Sequence, residues 1–301
     1  MDPLCHTLVG GALAESGLKR RTRLGTATLL IGANLPDVDV AAVFTGSDLA
    51  FRRGWTHGVL AWVALPLAVT GIMLLWNRIR RSEDDGGRPV LPRQVLLLAT
   101  LSVLTHPLLD WLNTYGVRLL MPFSVRWFYG DCVFIVDPWI WLLLGSGVLW
   151  SRLHARQGRN PATRPARAAL ALTVIYIGLM VAGTASGRRI AARDLRLQSL
   201  PSKNVLMVEP VPFIPFQRQV VLAERDRYRF GRIHWWPGPR IALSGDSVLK
   251  GFDDPRVSLV EPTEASRQLL EWARFPYYVV EGAPGRRRLR LDDALQPGSA
   301  V

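Results

Sequence analysis

Cysteine is scarce in this chain: Cys5 and Cys132 are the two thiols among 301 residues. Two cannot build the multi-bridge framework of a small secreted fold, and they form no CxxC metal motif. The start, MDPLCHTLVG, lacks a basic n-region, so no cleaved signal peptide is expected and the first helix is expected to stay in the mature protein. Internal repeats and low-complexity segments are lacking as well. Long apolar runs, by contrast, abound. The chain is 49% hydrophobic with a mean hydropathy of +0.15, although 20% of it is charged. Segregation reconciles the two, because apolar and Arg-rich stretches alternate through residues 1–185. The net charge of +13 could suggest nucleic acid. The Arg clusters, however, lie between apolar runs, where flanking positive charge sets membrane topology. No nucleic-acid partner is expected.

A bilayer-spanning helix needs about 20 apolar residues. Runs of that kind fall at 57–76, 95–112, 133–150 and 168–185. Two shorter stretches, 4–17 and 24–35, are joined by KRRTR and predict a helical hairpin dipping into the membrane. Lys19, Arg20, Arg21 and Arg23 lie at its tip. Arg78, Arg80, Arg81, Arg88 and Arg93 separate the first two runs, and Arg152, Arg156, Arg159, Arg164 and Arg167 separate the last two. These fourteen face one side, against Arg52, Arg53, Arg118 and Arg126 on the other. The positive-inside rule puts the fourteen in the cytoplasm. It follows that the 36–56 loop, the 113–132 loop and the tail lie outside the cytoplasm.

The tail changes character, with β-like runs at 220–224, 227–233 and 276–282 and an amphipathic helix near 263–274, opened by Thr263 and stopped by Pro276. The expected architecture is mainly α: a polytopic helical membrane bundle over 1–185, with about four spans plus the N-terminal hairpin, and a small soluble α+β domain over 186–301. The tail carries no catalytic constellation. Trp235 and Trp236 could touch the membrane interface, though a core or loop role is the plainer reading.

Ionisable residues at membrane depth are costly and invite a functional reading. His6 opens the hairpin and Asp37 and Asp39, in NLPDVD, close it. His57 opens the first run. His106 and Asp110 lie in the outer part of the second, and Asp131 and Asp137 precede or open the third. All fall on one side in a topology drawn from arginines alone. His106 and Asp110, spaced i, i+4, share a helix face. Imidazole nitrogen with carboxylate oxygen suits zinc, and also manganese or iron. So many ligands exceed one tetrahedral ion, and two metals ~3.5–4 Å apart would activate water and clamp a phosphoester. Plainer readings stand beside this one. A membrane His is commonly a packing hydrogen bonder. NLPDVD could be an Asx-type turn. Asp137 before Pro138 could be an ordinary N-cap. Arg53 and Arg126 could be interface anchors. A thiolate ligand or a disulfide from Cys5 and Cys132, beside His6 and Asp131, is a further alternative. His154 and His234 read as structural or surface residues.

At MDPLCHTLVGG, NLPDVD, RGWTHG, LTHPLLDWLNTYGVRLLMPFS and FIVDP the sequence resembles the YdjM-like, LexA-regulated membrane-bound proteins described as metal-dependent hydrolases. The resemblance covers about residues 1–185. A more distant similarity is to zinc-dependent phospholipase C and the P1-type nucleases, whose ligand order of His, Asp, His, then His-x-x-x-Asp reads here as His6, Asp37 or Asp39, His57, His106 and Asp110. This chain departs from them in beginning MDP rather than at a processed Trp, and in offering only Asp131 and Asp137 where a second His-x-x-x-Asp or His-x-x-x-Glu would stand.

The resulting expectation is an integral protein of the inner (plasma) membrane, with zinc, or alternatively manganese, as one or two ions on His6, Asp37, Asp39, His57, His106 and Asp110. The substrate expected is a phosphoester, which could be a lipid. Arg53 and Arg126 are candidates to bind its phosphate oxygens. Asp39 and Asp137 are the candidate catalytic carboxylates, Asp137 as ligand or general base. The alternative is a non-catalytic membrane regulator or ion-handling protein with a structural metal site. The apolar inner halves of the first, third and fourth runs disfavour permeation.

Overall fold

Proline and charge decide where the helices of this chain begin and end. A computed structural model describes residues 1–45, 51–80, 89–197, 205–257, 263–281 and 288–294. Arg81 and Arg88 lie outside the described residues. Helix α1 spans Pro3–Glu15, with Pro3 in its first turn and the Asp2 carboxylate accepting from the Cys5 amide at 3.0 Å. A 3-10 turn, Leu18–Arg21, leads to α2, Gly25–Asn34, and a second 3-10 stretch covers Leu35–Thr45. The membrane-length elements follow: α3 (Ala61–Arg80), α4 (Pro92–Trp111), α5 (Pro138–Arg156) and α6 (Arg164–Leu197).

Three of these, α3, α4 and α6, are long and apolar enough to cross a membrane. The third expected run behaves differently. Its helix starts only at Pro138, because Asp137 caps it by accepting from the Trp139 and Ile140 amides at 3.0 and 3.2 Å. It ends in Ser151, Arg152, His154 and Arg156, so its 19 residues do not join the three. The physical reason is that residues 133–137 of the apolar run are spent before the helix begins.

The chain divides into two compact units, 1–181 and 182–301, and α6 continues across the division. Within the first, α1 packs between α2 and α5, α2 packs on α4, and α4 on α3. Small residues bring the backbones close, as membrane helices require. A Cβ on Gly10 would meet the Leu29 carbonyl oxygen at 2.7 Å. One apolar cluster joins Cys5, Val9, Leu109, Ile140, Leu144 and Met180. One end of the unit collects cations. Glu15 accepts from Lys19 and from Arg152 (3.2 Å), Arg167 donates to the Ser16 carbonyl (2.8 Å), and Arg23 donates to Asn77.

The second unit is an antiparallel meander, β1 (Val205–Val211), β2 (Ile214–Ala223), β3 (Arg227–His234) and β4 (Arg240–Leu249), beside a hairpin of β5 (Pro276–Glu281) and β6 (Arg288–Asp293). Strand alternation divides its core. Val208, Val220, Leu222, Ile233 and Ile241 pack on Ala191 and Leu195 of α6, and Met207, Val221 and Tyr228 on Phe275. Helix α7, Glu264–Trp272, is opened by Thr263, whose hydroxyl accepts from Ser266 N at 3.1 Å. The three expected β runs lie in β2, β3 and β5, apart from Glu224, which follows β2, and Gly282, outside the described residues.

Candidate metal centre

Four segments deliver the chemistry to the end of the first unit opposite its cations. Helix α1 brings His6 one turn past its cap. Pro36 ends the regular α2 helix, and the 3-10 stretch after it carries Asp37 and Asp39. The loop before α3 bends at Arg53 (φ 48°) to present His57. Helix α4 contributes His106 and Asp110, one turn apart on its inward face. Ligand atoms of Asp37, His57, His106 and Asp110 all lie within 4.8 Å of one another, a grouping able to hold a metal ion.

The carboxylate of Asp110 is the hub. Its Oδ2 lies 3.2 Å from His57 Nε2, 3.6 Å from His106 Nε2 and 3.2 Å from Arg53 Nε. Its Oδ1 faces the Met1 amine and, at 3.3 Å, His6 Nε2. The two oxygens thus look toward different donor sets. His6 stacks on His106 with centroids 3.6 Å apart, and His57 meets His106 edge-on at 5.0 Å.

Second contacts fix the rings. His106 Nδ1 lies 2.7 Å from the Ala33 carbonyl oxygen, which can only accept, so Nδ1 carries a proton. Nε2 is then the ring nitrogen left to bind a metal ion, and it faces Asp37 (3.6 Å) and Asp110 (3.6 Å). His57 Nδ1 meets Thr56 Oγ1 at 2.9 Å, and Thr56 donates to Asp39 Oδ2 at 3.3 Å. Asp39 also accepts from the Arg53 amide at 2.6 Å. It therefore stands behind His57, outside the group of four.

His6 Nδ1 and Nε2, His57 Nε2, His106 Nε2 and Asp110 Oδ2 are buried with no hydrogen-bond partner among the described residues. Buried polar atoms are paired in the great majority of cases. The orphaned Nε2 atoms of His57 and His106 face Asp110 Oδ2 and that of His6 faces Oδ1, an arrangement that a bound cation would satisfy. The donor set, imidazole nitrogen with carboxylate oxygen, suits zinc or manganese.

Charged groups crowd the same place. Arg53 is buried, donating to Asn113 Oδ1 and the Gly116 carbonyl, each at 3.2 Å, with its guanidinium 4.5 Å above the Tyr115 ring. Burial pulls its pKa down to about 10, so it remains a cation at neutral pH. Asp110 faces Arg53 and the Met1 amine, and Asp39 faces Arg52 at 3.5 Å, so the carboxylates of the site stand among basic groups.

Other expected residues lie elsewhere. Asp137 caps α5, and its Oδ2 accepts from Tyr176 at 2.9 Å. Arg126 is exposed, its guanidinium 5.3 Å above the Phe128 ring. Asp131 is buried in a left-handed conformation (φ 55°). Cys5 and Cys132 are buried and not joined, so the disulfide alternative is corrected, and the Cys132 thiol donates to the Gly130 carbonyl at 3.0 Å. Asn113, Thr56 and the Met1 amine were not singled out from the sequence. Asn113 had a signal, since it follows Asp110 by three residues. The Met1 amine had none.

A bundle of membrane-length helices with a buried His/Asp group at one end defines a class, the integral-membrane protein able to hold a metal ion. The YdjM inner membrane protein family matches residues 1–187, and the chain belongs to that family. The "Uncharacterized protein YfhP" of Bacillus subtilis (strain 168) is 25% identical over 124 residues, which is 40% of this chain and 35% of that protein. The chain thus covers about a third of that relative's length. No solved structure matches the chain.

Proposed function

We propose that this chain is a membrane-bound, metal-dependent hydrolase acting on a phosphoester. The observation that carries the reading is the convergence of unpartnered ring nitrogens of His6, His57 and His106 on the Asp110 carboxylate. Asp37, His57, His106 and Asp110 would hold a zinc or manganese ion, and His6, facing the other oxygen of Asp110, would serve a second. Such an ion supplies a nucleophile from water near neutral pH and polarises a phosphoryl oxygen. The ligand order, matching that of zinc-dependent phospholipase C and the P1-type nucleases, supports phosphoester chemistry.

The protein's own groups have distinct tasks. Ala33 holds His106 in the tautomer that leaves Nε2 free. Asp39, through Thr56, orients His57 and would serve as the catalytic carboxylate beside the group. Asp137, engaged by two backbone amides and Tyr176, positions α5. Arg53 offsets the carboxylates from inside, and Arg126 remains available to a phosphate at the surface.

We also place the cationic end of the bundle in the cytoplasm of a multi-pass protein, with the metal group and C-terminal domain outside. One observation favours a second reading, a membrane regulator with a structural metal. His57, His106 and Asp110 have no exposed side-chain surface, and Asp37 has 15%. One preparation separates the two readings. The detergent-purified full chain, prepared without chelator, is expected to carry one or two zinc or manganese ions and to cleave bis(p-nitrophenyl) phosphate or a phospholipid. Stoichiometric metal without cleavage of either favours the regulator, and absence of metal refutes both.

A further inference from the structure

Asp37 is the one member of the four-residue group with exposed side-chain surface. A substrate meeting the group must therefore pass the 3-10 stretch that carries Asp37. In LPDVDV, Asp39 turns inward and Asp37 is largely covered, while Val38 and Val40 turn out, 53% and 52% exposed. The next segment repeats this arrangement. Arg53 and His57 are buried, while Phe51 and Trp55 between and beside them are exposed. Nearby, Phe44 and Phe123 are 91% and 76% exposed. A site opening to water would be rimmed by polar side chains. Among the described residues of these two segments, Asp39, Arg53 and His57 turn to the centre and the large apolar side chains turn outward, the arrangement of a protein whose solvent is lipid.

Depth agrees with the rim. Arg21 meets Gln94 near the start of α4, and His106 lies twelve residues further along that helix, roughly 18 Å at ~1.5 Å per residue. The hydrocarbon layer of a bilayer is about 30 Å thick. With the cations at one interface, the metal group falls short of the other. The exposed apolar surface also continues from Trp55 through Leu60, Val63 and Leu67 along α3, a membrane-length helix.

We propose that the substrate is a membrane lipid carrying a phosphoester, and that it reaches the group laterally from the bilayer past Asp37. Its head group turns in beside Asp37 while its acyl chains remain against Val38, Val40 and Phe44. The inference rests on the hydrolase reading above and adds to it the route and the apolar part of the substrate.

The test uses the full chain in vesicles of phosphatidylethanolamine and phosphatidylglycerol. Val40→Cys and Phe123→Cys are labelled separately with a nitroxide, with the unsubstituted chain as a check on Cys5 and Cys132. Val63→Cys on α3 serves as the lipid reference and Asp246→Cys on β4 as the water reference. Relaxation by oxygen over a water-soluble nickel chelate, as at Val63, is expected at both rim positions. Behaviour like Asp246 overturns the route, whatever the activity. In parallel, cleavage of the vesicle phosphatidylglycerol is compared with that of soluble bis(p-nitrophenyl) phosphate. Chains seated on an apolar rim should raise kcat/KM by ~10-fold or more, since one methylene in an apolar contact already gives about that. Equal rates overturn the lipid substrate and leave the hydrolase reading intact. Cleavage of neither, with metal bound, refutes the hydrolase reading and the substrate together, while the labels still decide the depth of the rim.

Discussion

Replacing Asp110 by Asn keeps the shape of the side chain and removes one negative charge at the point where His6, His57, His106, Arg53 and the Met1 amine meet. Two consequences separate. In chelator-treated protein, Arg53 loses the carboxylate 3.2 Å from its Nε. Breaking one partner of a buried ion pair costs about 3–5 kcal/mol. Asp37 and Asp39 still act electrostatically on this guanidinium, so the loss should fall near the lower end, about 3 kcal/mol. Metal adds the second effect. At free zinc 100 times its Kd, a native-state site gains about 2.7 kcal/mol. The wild-type chain should show that increment and Asp110→Asn should not. His106→Ala should likewise lose the increment, with about 1 kcal/mol of hydrogen bonding lost at the Ala33 carbonyl. The assay is thermal unfolding in detergent with and without zinc, together with elemental analysis. Stoichiometric metal retained in both variants would refute the assignment of this centre.

Asp39→Asn, which weakens the Thr56–His57 support, should reduce metal affinity by ~10–100-fold without abolishing binding, and competition with a chromophoric chelator reads this. An affinity equal to that of the unsubstituted chain would remove Asp39 from the support of His57. Gly10→Val should destabilise the bundle by about 1–3 kcal/mol, because its Cβ would press on the Leu29 carbonyl; unchanged thermal unfolding would show that α1 and α2 separate at little cost. A C-terminal alkaline phosphatase fusion should be active and a fluorescent-protein fusion dark, and the reverse pattern would put the tail and the metal centre in the cytoplasm.

Much of this protein is legible because its signals are local. Membrane-length helices follow from uninterrupted apolar runs, and a run needs no tertiary partner to be apolar. His106 and Asp110 share a face because the helical period places residues four apart together. The sequence reads Thr263 as a helix opening and offers a cap as the plainer alternative to a catalytic Asp137, and both side chains cap in the structure. The location of the basic residues, read one stretch at a time, matched the cationic end formed by Lys19, Arg23, Arg152 and Arg167.

Other features depend on which atom faces which, across long stretches of chain. Asp37 and Asp39 are indistinguishable in NLPDVD, yet the first joins the four and the second holds Thr56, because successive residues of the 3-10 stretch point in different directions. Arg53 reads as a surface anchor or phosphate binder, but a left-handed turn folds it inward against Asp110, 57 residues later. Strands β1, β4 and β6 gave no pattern of their own, since pairing with β2, β3 and β5 defines them. The protonated nitrogen of His106 is set by a carbonyl 73 residues away. Sequence alone determined the kinds of ligand available and the end of the bundle that holds them. Only packing decided the direction of each lone pair, because a hydrogen bond or a metal bond depends on angles and distances that residue spacing does not contain.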